Sequence, residues 1–131
     1  APIQNRLAVQ LARVYGSKGY RVRCEYKHVD ISIHKDNYAS FLEIKPADSA
    51  REAIRLALGQ LLEYAHYPQA NRAANLVVVS DAEPGPNDIQ YIRQLRQRYG
   101  IPLCYVYWPR DAQTISQREL AKCVREMKIS R

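Results

Sequence analysis

The sequence lacks any apolar run approaching the ~18–20 residues that span a bilayer. Its first residues, Ala1 to Gln4, carry neither the basic segment nor the long apolar stretch of a secretory signal. The chain therefore reads as a cytoplasmic protein without a membrane partner. Cysteine is scarce: Cys24, Cys104 and Cys123 are odd in number, far apart and form no CxxC pair, which argues against a disulfide framework and a structural zinc site. They read as small buried hydrophobes in a reducing compartment. No internal repeat, low-complexity tract or linker is visible, and no helix-turn-helix or zinc-finger signature. Acid is also missing from residues 1–16.

What is present fits one globular unit. The 131 residues suit a single domain with one core, residues 1–131, and hydrophobic and charged shares of 47% and 25% are ordinary for a folded chain. Lysine and arginine number 20 against 13 acids, a formal charge of +7 spread along the chain. Such an excess suits a polyanionic partner, nucleic acid foremost, and speaks to association rather than to fold.

Hydrophobic spacing supplies the elements. Ile3, Leu7, Leu11, Val14 and Tyr15 recur at three and four and predict an amphipathic helix stopped by Gly16. The period then changes to two. Val22, Cys24 and Tyr26 alternate with charged residues, and Val29, Ile31 and Ile33 alternate with Asp30, Ser32 and His34, which predicts two half-buried strands. After the polar turn Lys35-Asp36-Asn37, residues Phe41 to Lys45 form a third strand ended by Pro46, completing an antiparallel meander. Between Asp48 and Tyr67 an apolar stripe marks a second helix, opened by the capping box Ser49 and Glu52. Leu76 to Val79 suit a buried strand, Asn87 to Tyr99 a helix stopped by Gly100, Leu103 to Tyr107 a fifth strand, and Gln117 to Met127 a terminal helix. A meander followed by crossover helices predicts an α/β fold with a mixed sheet flanked by helices.

Chemistry concentrates on the second and third strands. With Val29, Ile31 and Ile33 facing the core, Asp30 projects to the other face, and Glu43 and Lys45 project oppositely to Leu42 and Ile44. If the strands are neighbours, Asp30 and Glu43 come close enough to share a divalent cation of the hard, oxygen-seeking kind, magnesium foremost, with Lys45 one pleat away. Such an ion would polarise a scissile phosphate and acidify a water, and Lys45 would orient that water or stabilise charge on phosphorus. Taken alone, the same three residues also read as charges on a solvated sheet face, paired across strands. On the second helix, Gln60 and Tyr64 lie one turn apart on the shoulder of the apolar stripe, from which they would reach over the sheet edge.

Val29-Asp30-Ile31, Phe41-Leu42-Glu43-Ile44-Lys45-Pro46 and Gly59-Gln60-Leu61-Leu62-Glu63-Tyr64-Ala65, in that order, resemble the motifs of the PD-(D/E)xK nuclease superfamily. Gln60-x-x-x-Tyr64 is similar to the helix motif of its RecB-type exonuclease branch. The resemblance spans about Ile3 to Ser80 and implies a restriction-endonuclease-like αβββαβ core with a mixed central sheet. A C-terminal helix-strand-helix over residues 81–131 would extend it. It further implies a magnesium-dependent nuclease, manganese able to substitute, with Asp30, Glu43 and the Ile44 carbonyl as metal ligands. Lys45 would be the catalytic lysine, with Gln60 and Tyr64 supporting the catalytic site. Many relatives carry an acid on the first helix; here Gln4 and Asn5 are the nearest polar residues, so a strong second metal site is not expected. Glu25 on the first strand is an open substitute.

Arg51 and Arg55, one turn apart near the start of the second helix, would hold a nucleic-acid phosphate or form a solvated basic face. His28 and His34 share the Asp30 side of their strand and would touch a substrate phosphate or face solvent. DNA is favoured over RNA as the partner. A core this small leaves little surface for base reading, so specificity is expected from a fused recognition domain, a homodimer partner or DNA structure. Two other classes remain open on these residues: a nucleic-acid-binding module without turnover, and a structural or protein-interaction domain.

Overall fold

The computed structural model describes residues 2–26, 29–69 and 73–125. Along the chain run α1 (Pro2–Tyr15), β1 (Arg21–Tyr26), β2 (Val29–Lys35), β3 (Tyr38–Ile44), α2 (Ala50–His66), β4 (Asn75–Ser80), α3 (Pro86–Tyr99), β5 (Leu103–Tyr107) and α4 (Gln117–Ala121). The strands form an open five-stranded sheet in chain order. β1, β2 and β3 are antiparallel neighbours; β3, β4 and β5 are parallel, joined by the crossovers through α2 and α3. The result is an α/β fold with a mixed sheet. Among the described residues no helix is long and apolar enough to cross a membrane.

Each face of the sheet is covered. On one, Leu7 and Leu11 of α1 pack with Ile31, Ile33, Leu42, Val77, Val79 and Val106, joined by Ile115, Leu120 and Cys123 from the C-terminal segment. On the other, Ala53, Ile54, Ala57 and Leu61 of α2 pack with Phe41, Leu76, Val78 and Leu103, and α3 adds Ile92 and Leu95 at the margin. Every residue of β4 is buried. A strand shielded on both faces has no polar side, which is why its sequence is an apolar run rather than an alternation.

Local chemistry fixes the helix ends. The Ser49 hydroxyl accepts the Glu52 N–H at 3.1 Å and opens α2, as the capping box predicts. The Asp88 carboxylate accepts the Gly85 N–H at 2.8 Å and opens α3, with Pro86 in its first turn. Gly100 closes α3 at φ 68°, a left-handed conformation in which a side chain would be strained.

Four expectations need correction. β3 begins at Tyr38 rather than Phe41, because Tyr38, Ala39 and Ser40 pair with Lys35, His34 and Ile33, and it ends at Ile44, leaving Lys45 just beyond the strand. The terminal helix stops at Ala121 and tightens into a 3-10 turn over Lys122–Val124. Cys123 is fully buried there and Asn75 donates to the Lys122 carbonyl at 2.8 Å, so packing draws the chain out of the helix; the rest of the expected helix lies largely outside the described residues. Cys104 and Cys123 are buried, but Cys24 is exposed on the edge strand β1. Val29 packs with the α2-side cluster whereas Ile31 and Ile33 pack with the α1-side cluster, so strict alternation along β2 breaks at Asp30. Glu25, with a φ of 53°, falls between the partnered pairs Cys24–Ile31 and Tyr26–Val29, and the β1–β2 ladder lapses at the same level.

Leu61 is fully buried, and Leu61→Ala is expected to lower unfolding free energy by about 2–5 kcal/mol. Ser49→Ala, which removes only the α2 cap, should cost about 1 kcal/mol. Urea denaturation of both variants checks the order; equal losses would mean that α2 is held by its cap rather than by packing.

Candidate active site

The β2–β3 ladder runs from Lys35–Tyr38 to Ile31–Leu42, and beyond that pair side chains take over from the backbone. The Asp30 carboxylate accepts the Ile44 N–H at 2.9 Å, and the Asp30 N–H donates to Oε1 of Glu43 at 3.3 Å. Each acid thus satisfies an amide on the other's strand. The Lys45 N–H donates to the Val79 carbonyl on the β4 side at 2.8 Å. Because backbone polar groups alternate sides along a strand, the N–H and C=O of Ile44 both face β2, toward Asp30. The carbonyl expected among the metal ligands therefore points to the carboxylate side.

Glu43 is only 2% exposed. Burial pushes its carboxyl up, the neighbouring Asp30 charge pushes it further, and together they bring it to about 7 despite the Asp30 amide and Lys45. The Glu43 and Asp30 carboxyls lie within hydrogen-bonding reach of each other. Lys45 Nζ stands 3.8 Å from Oε2 of Glu43 and keeps about a quarter of its side chain in solvent. Two carboxylates and an ammonium therefore meet at one end of β2 and β3, the convergence that neighbouring strands predict.

Tyr64 joins them from α2. Burial raises its phenol above the usual range, and the charges of Glu43, Asp30 and Glu63 raise it further, so it stays protonated. Gln60 stands one turn earlier and is exposed. From the other side, Gln4 of α1, itself buried, donates through Nε2 to the Asp30 carbonyl at 2.5 Å. The acid-free first helix thus braces the site with an amide, bonding the main chain rather than offering a carboxylate. In the sequence this was visible only as a polar residue near a helix start.

Other expected residues lie elsewhere. Arg51 and Arg55 are exposed and line a groove of about 920 Å³ against the start of α3, from Gly85 to Asp88, with Tyr91. The groups that act electrostatically on Glu43 are Asp30 and Lys45, not these arginines. His34 sits four residues from Asp30, roughly 13 Å along the strand, and its Nε2 lies 2.9 Å from the Ser32 hydroxyl. It does not join the carboxylates. His28 lies outside the described residues. Glu25 is exposed on β1 at the level of Asp30 and is not among the groups whose charge acts on Glu43. Among the described residues no group of three or more His, Cys, Asp or Glu side chains is placed to hold a metal ion, so an ion here would rest on the two carboxylates, backbone and water.

Asp81, which sequence pattern did not single out, sits just past β4. It accepts the Ala47 N–H at 3.2 Å and binds Arg110 through Nε at 3.0 Å and Nη2 at 2.9 Å. Burial pushes its carboxyl up, but the hydrogen bonds and charge of Arg110 outweigh this and hold it below the usual carboxylate range. It pins the loop after Lys45 to the end of β4. No protein-family model, curated protein or solved structure matches the chain.

The raised Glu43 carboxyl has a measurable consequence. Between its ordinary 4.5 and about 7 the folded state binds more protons than the unfolded state, so stability falls as pH rises through this window. Relative to Glu43→Gln, the wild type is expected to lose on the order of 3 kcal/mol between those limits. Metal-free urea melts of both proteins across the window check this, and parallel pH dependences would mean that Glu43 is solvated.

Proposed function

We propose that the protein is a magnesium-dependent nuclease that hydrolyses phosphodiester bonds, with DNA favoured over RNA. The observation that carries this reading is the meeting of Asp30, Glu43, Lys45 and Tyr64, drawn from three separate sequence motifs, at one end of the sheet. Their order on an α/β scaffold of helix, three-stranded meander, helix and strand agrees with the restriction-endonuclease-like core that the PD-(D/E)xK resemblance implies.

The donor set suits a hard cation. The buried Glu43 and half-buried Asp30 carboxylates carry like charge, and the burial and repulsion that together raise Glu43 are what a divalent ion relieves. Asp30, Glu43 and the Ile44 carbonyl would hold it, with manganese able to replace magnesium. When bound, the ion would polarise the scissile phosphate and lower the pKa of the attacking water. Lys45, a quarter in solvent beside Glu43, orients that water and balances charge building on phosphorus. Tyr64, kept protonated, donates to a phosphate oxygen, and Gln60 reaches the same strand from one turn away. Arg51 and Arg55 are placed for backbone phosphates further along, and the charge of +7 draws in a polyanion.

A second reading, a nucleic-acid-binding module without turnover, is favoured by the lack of a third acidic ligand among the described residues. One experiment separates the two. Supercoiled, linear duplex and single-stranded DNA and RNA are incubated with the wild type, Glu43→Ala and Lys45→Ala, in magnesium, manganese or EDTA. Metal-dependent cleavage that falls at least ~100-fold in both variants is expected. Salt-sensitive binding without cleavage, unaffected by EDTA, would support the module instead.

A further inference from the structure

A second recess opens at the same end of the sheet, on the α1 side, where β3, β4 and β5 finish. Its apolar walls include Ile44, Val79 and Trp108, and Arg6 and Arg110 contribute its cations. Ile44 lies between Glu43 and Lys45 in the chain, so the residue that walls this recess is peptide-bonded to both residues of the ion pair on the other face. Parallel strands commonly bind ligands beyond their carboxyl ends, where the loops diverge.

The chemistry of the recess is selective. Trp108 is 6% exposed and its indole N–H is already given to the Ala112 carbonyl at 3.0 Å, so the ring offers an apolar surface and no donor. The guanidinium of Arg6, on the exposed side of α1, lies over that ring 5.3 Å from its centroid. The Asp81 carboxylate is held by Arg110 and the Ala47 amide, while Arg110 itself remains 77% exposed. An occupant therefore meets apolar walls, the guanidinium of Arg6 and the outer edge of Arg110, whose Nε and Nη2 are taken by Asp81 in the same lining, which favours a flat ring carrying carbonyl oxygens and an attached phosphate. The volume is about 180 Å³, little more than the ~150 Å³ cavity that admits one benzene ring.

We infer that this recess is a nucleobase subsite of pyrimidine size, which seats a base next to the phosphate held at Lys45. Arg6 stacks on the ring or meets its carbonyl edge, and Arg110 meets the phosphate. The inference rests on the nuclease reading for the placing of that phosphate, but binding in the recess needs neither metal nor turnover.

Trp108 is the only tryptophan of the chain, so indole emission reports on this recess alone. The full chain in EDTA is titrated with thymidine 5′-monophosphate, deoxyadenosine 5′-monophosphate and deoxyribose 5-phosphate. Saturable quenching by the thymidine nucleotide is expected, at least about tenfold tighter than by the sugar phosphate and tighter than by the purine nucleotide. Arg6→Ala should weaken it about tenfold, and Ala112→Leu, which fills the recess, should abolish it; circular dichroism and a urea melt show that each variant is folded. Lys45→Ala should fail to cleave DNA and hold every phosphate ligand more weakly, while keeping the preference for the thymidine nucleotide over the sugar phosphate. Equal affinity for the sugar phosphate or the purine nucleotide, or an unchanged Kd in the folded Arg6→Ala and Ala112→Leu variants, overturns the subsite. Cleavage of DNA without quenching removes the subsite and keeps the nuclease; quenching without cleavage keeps the subsite and removes the nuclease.

Discussion

The arrangement depends on the place where the β2–β3 ladder gives way to side chains. Past Ile31–Leu42, Asp30 takes the Ile44 amide and Glu43 takes the Asp30 amide, so two carboxylates do what a backbone pair would otherwise do. Buried amides need partners, and losing one costs ~1–3 kcal/mol. That requirement clamps the ends of the strands together and, by the same bonds, sets Asp30 and Glu43 side by side. The break in alternation at Asp30, with Val29 turned to the α2 side, is the backbone form of the same event. Gln4 closes it from α1 through the Asp30 carbonyl.

Holding these acids together is unfavourable without a cation. Glu43 is buried beside a like charge and is pushed up to about 7, with Lys45 giving only partial relief from 3.8 Å. A protein selected for stability alone would replace such a group by an apolar one of similar size. Strain of this kind, held by a rigid sheet with both faces packed, is characteristic of sites that meet charged ligands. The rigidity comes from the sheet centre, where all of β4 is buried and each helix layer contributes a fully buried leucine, Leu11 from α1 and Leu61 from α2.

Sheet geometry also explains how one strand end serves both the carboxylate cluster and the Trp108 recess. Side chains alternate faces, so Glu43 and Lys45 look one way and Ile44 the other. The carboxylates, Lys45 and Tyr64 gather on the α2 side, while Ile44 helps to wall the Trp108 recess on the α1 side. Asp81 fixes the loop after Lys45 to β4 through Ala47, and through Arg110 to the segment after β5, keeping the cluster and the recess in register at the same edge.

By itself the sequence determined the elements and their order, because each is written in short-range terms: a three-four apolar spacing for α1 and α2, alternation and turn residues for the meander, an unbroken apolar run for β4, and Ser49 and Gly100 at helix ends. It also named Asp30, Glu43, Lys45 and Tyr64, through strand parity on β3, helix phase on α2 and the motif resemblance, although parity along β2 itself breaks at Asp30. Tertiary structure alone decided which polar groups meet. That Gln4 holds the Asp30 carbonyl, that Asp81 ties Ala47 to Arg110, and that His34 and the Arg51–Arg55 pair stand apart from the carboxylates follow from how helices lie on the sheet. So does the early end of α4, where burying Cys123 and bonding the Lys122 carbonyl to Asn75 overrides helical periodicity. Contacts between residues 26 to 105 positions apart, such as Gln4 with Asp30 and Gln10 with Ile115, leave no periodic trace, because packing rather than spacing selects them.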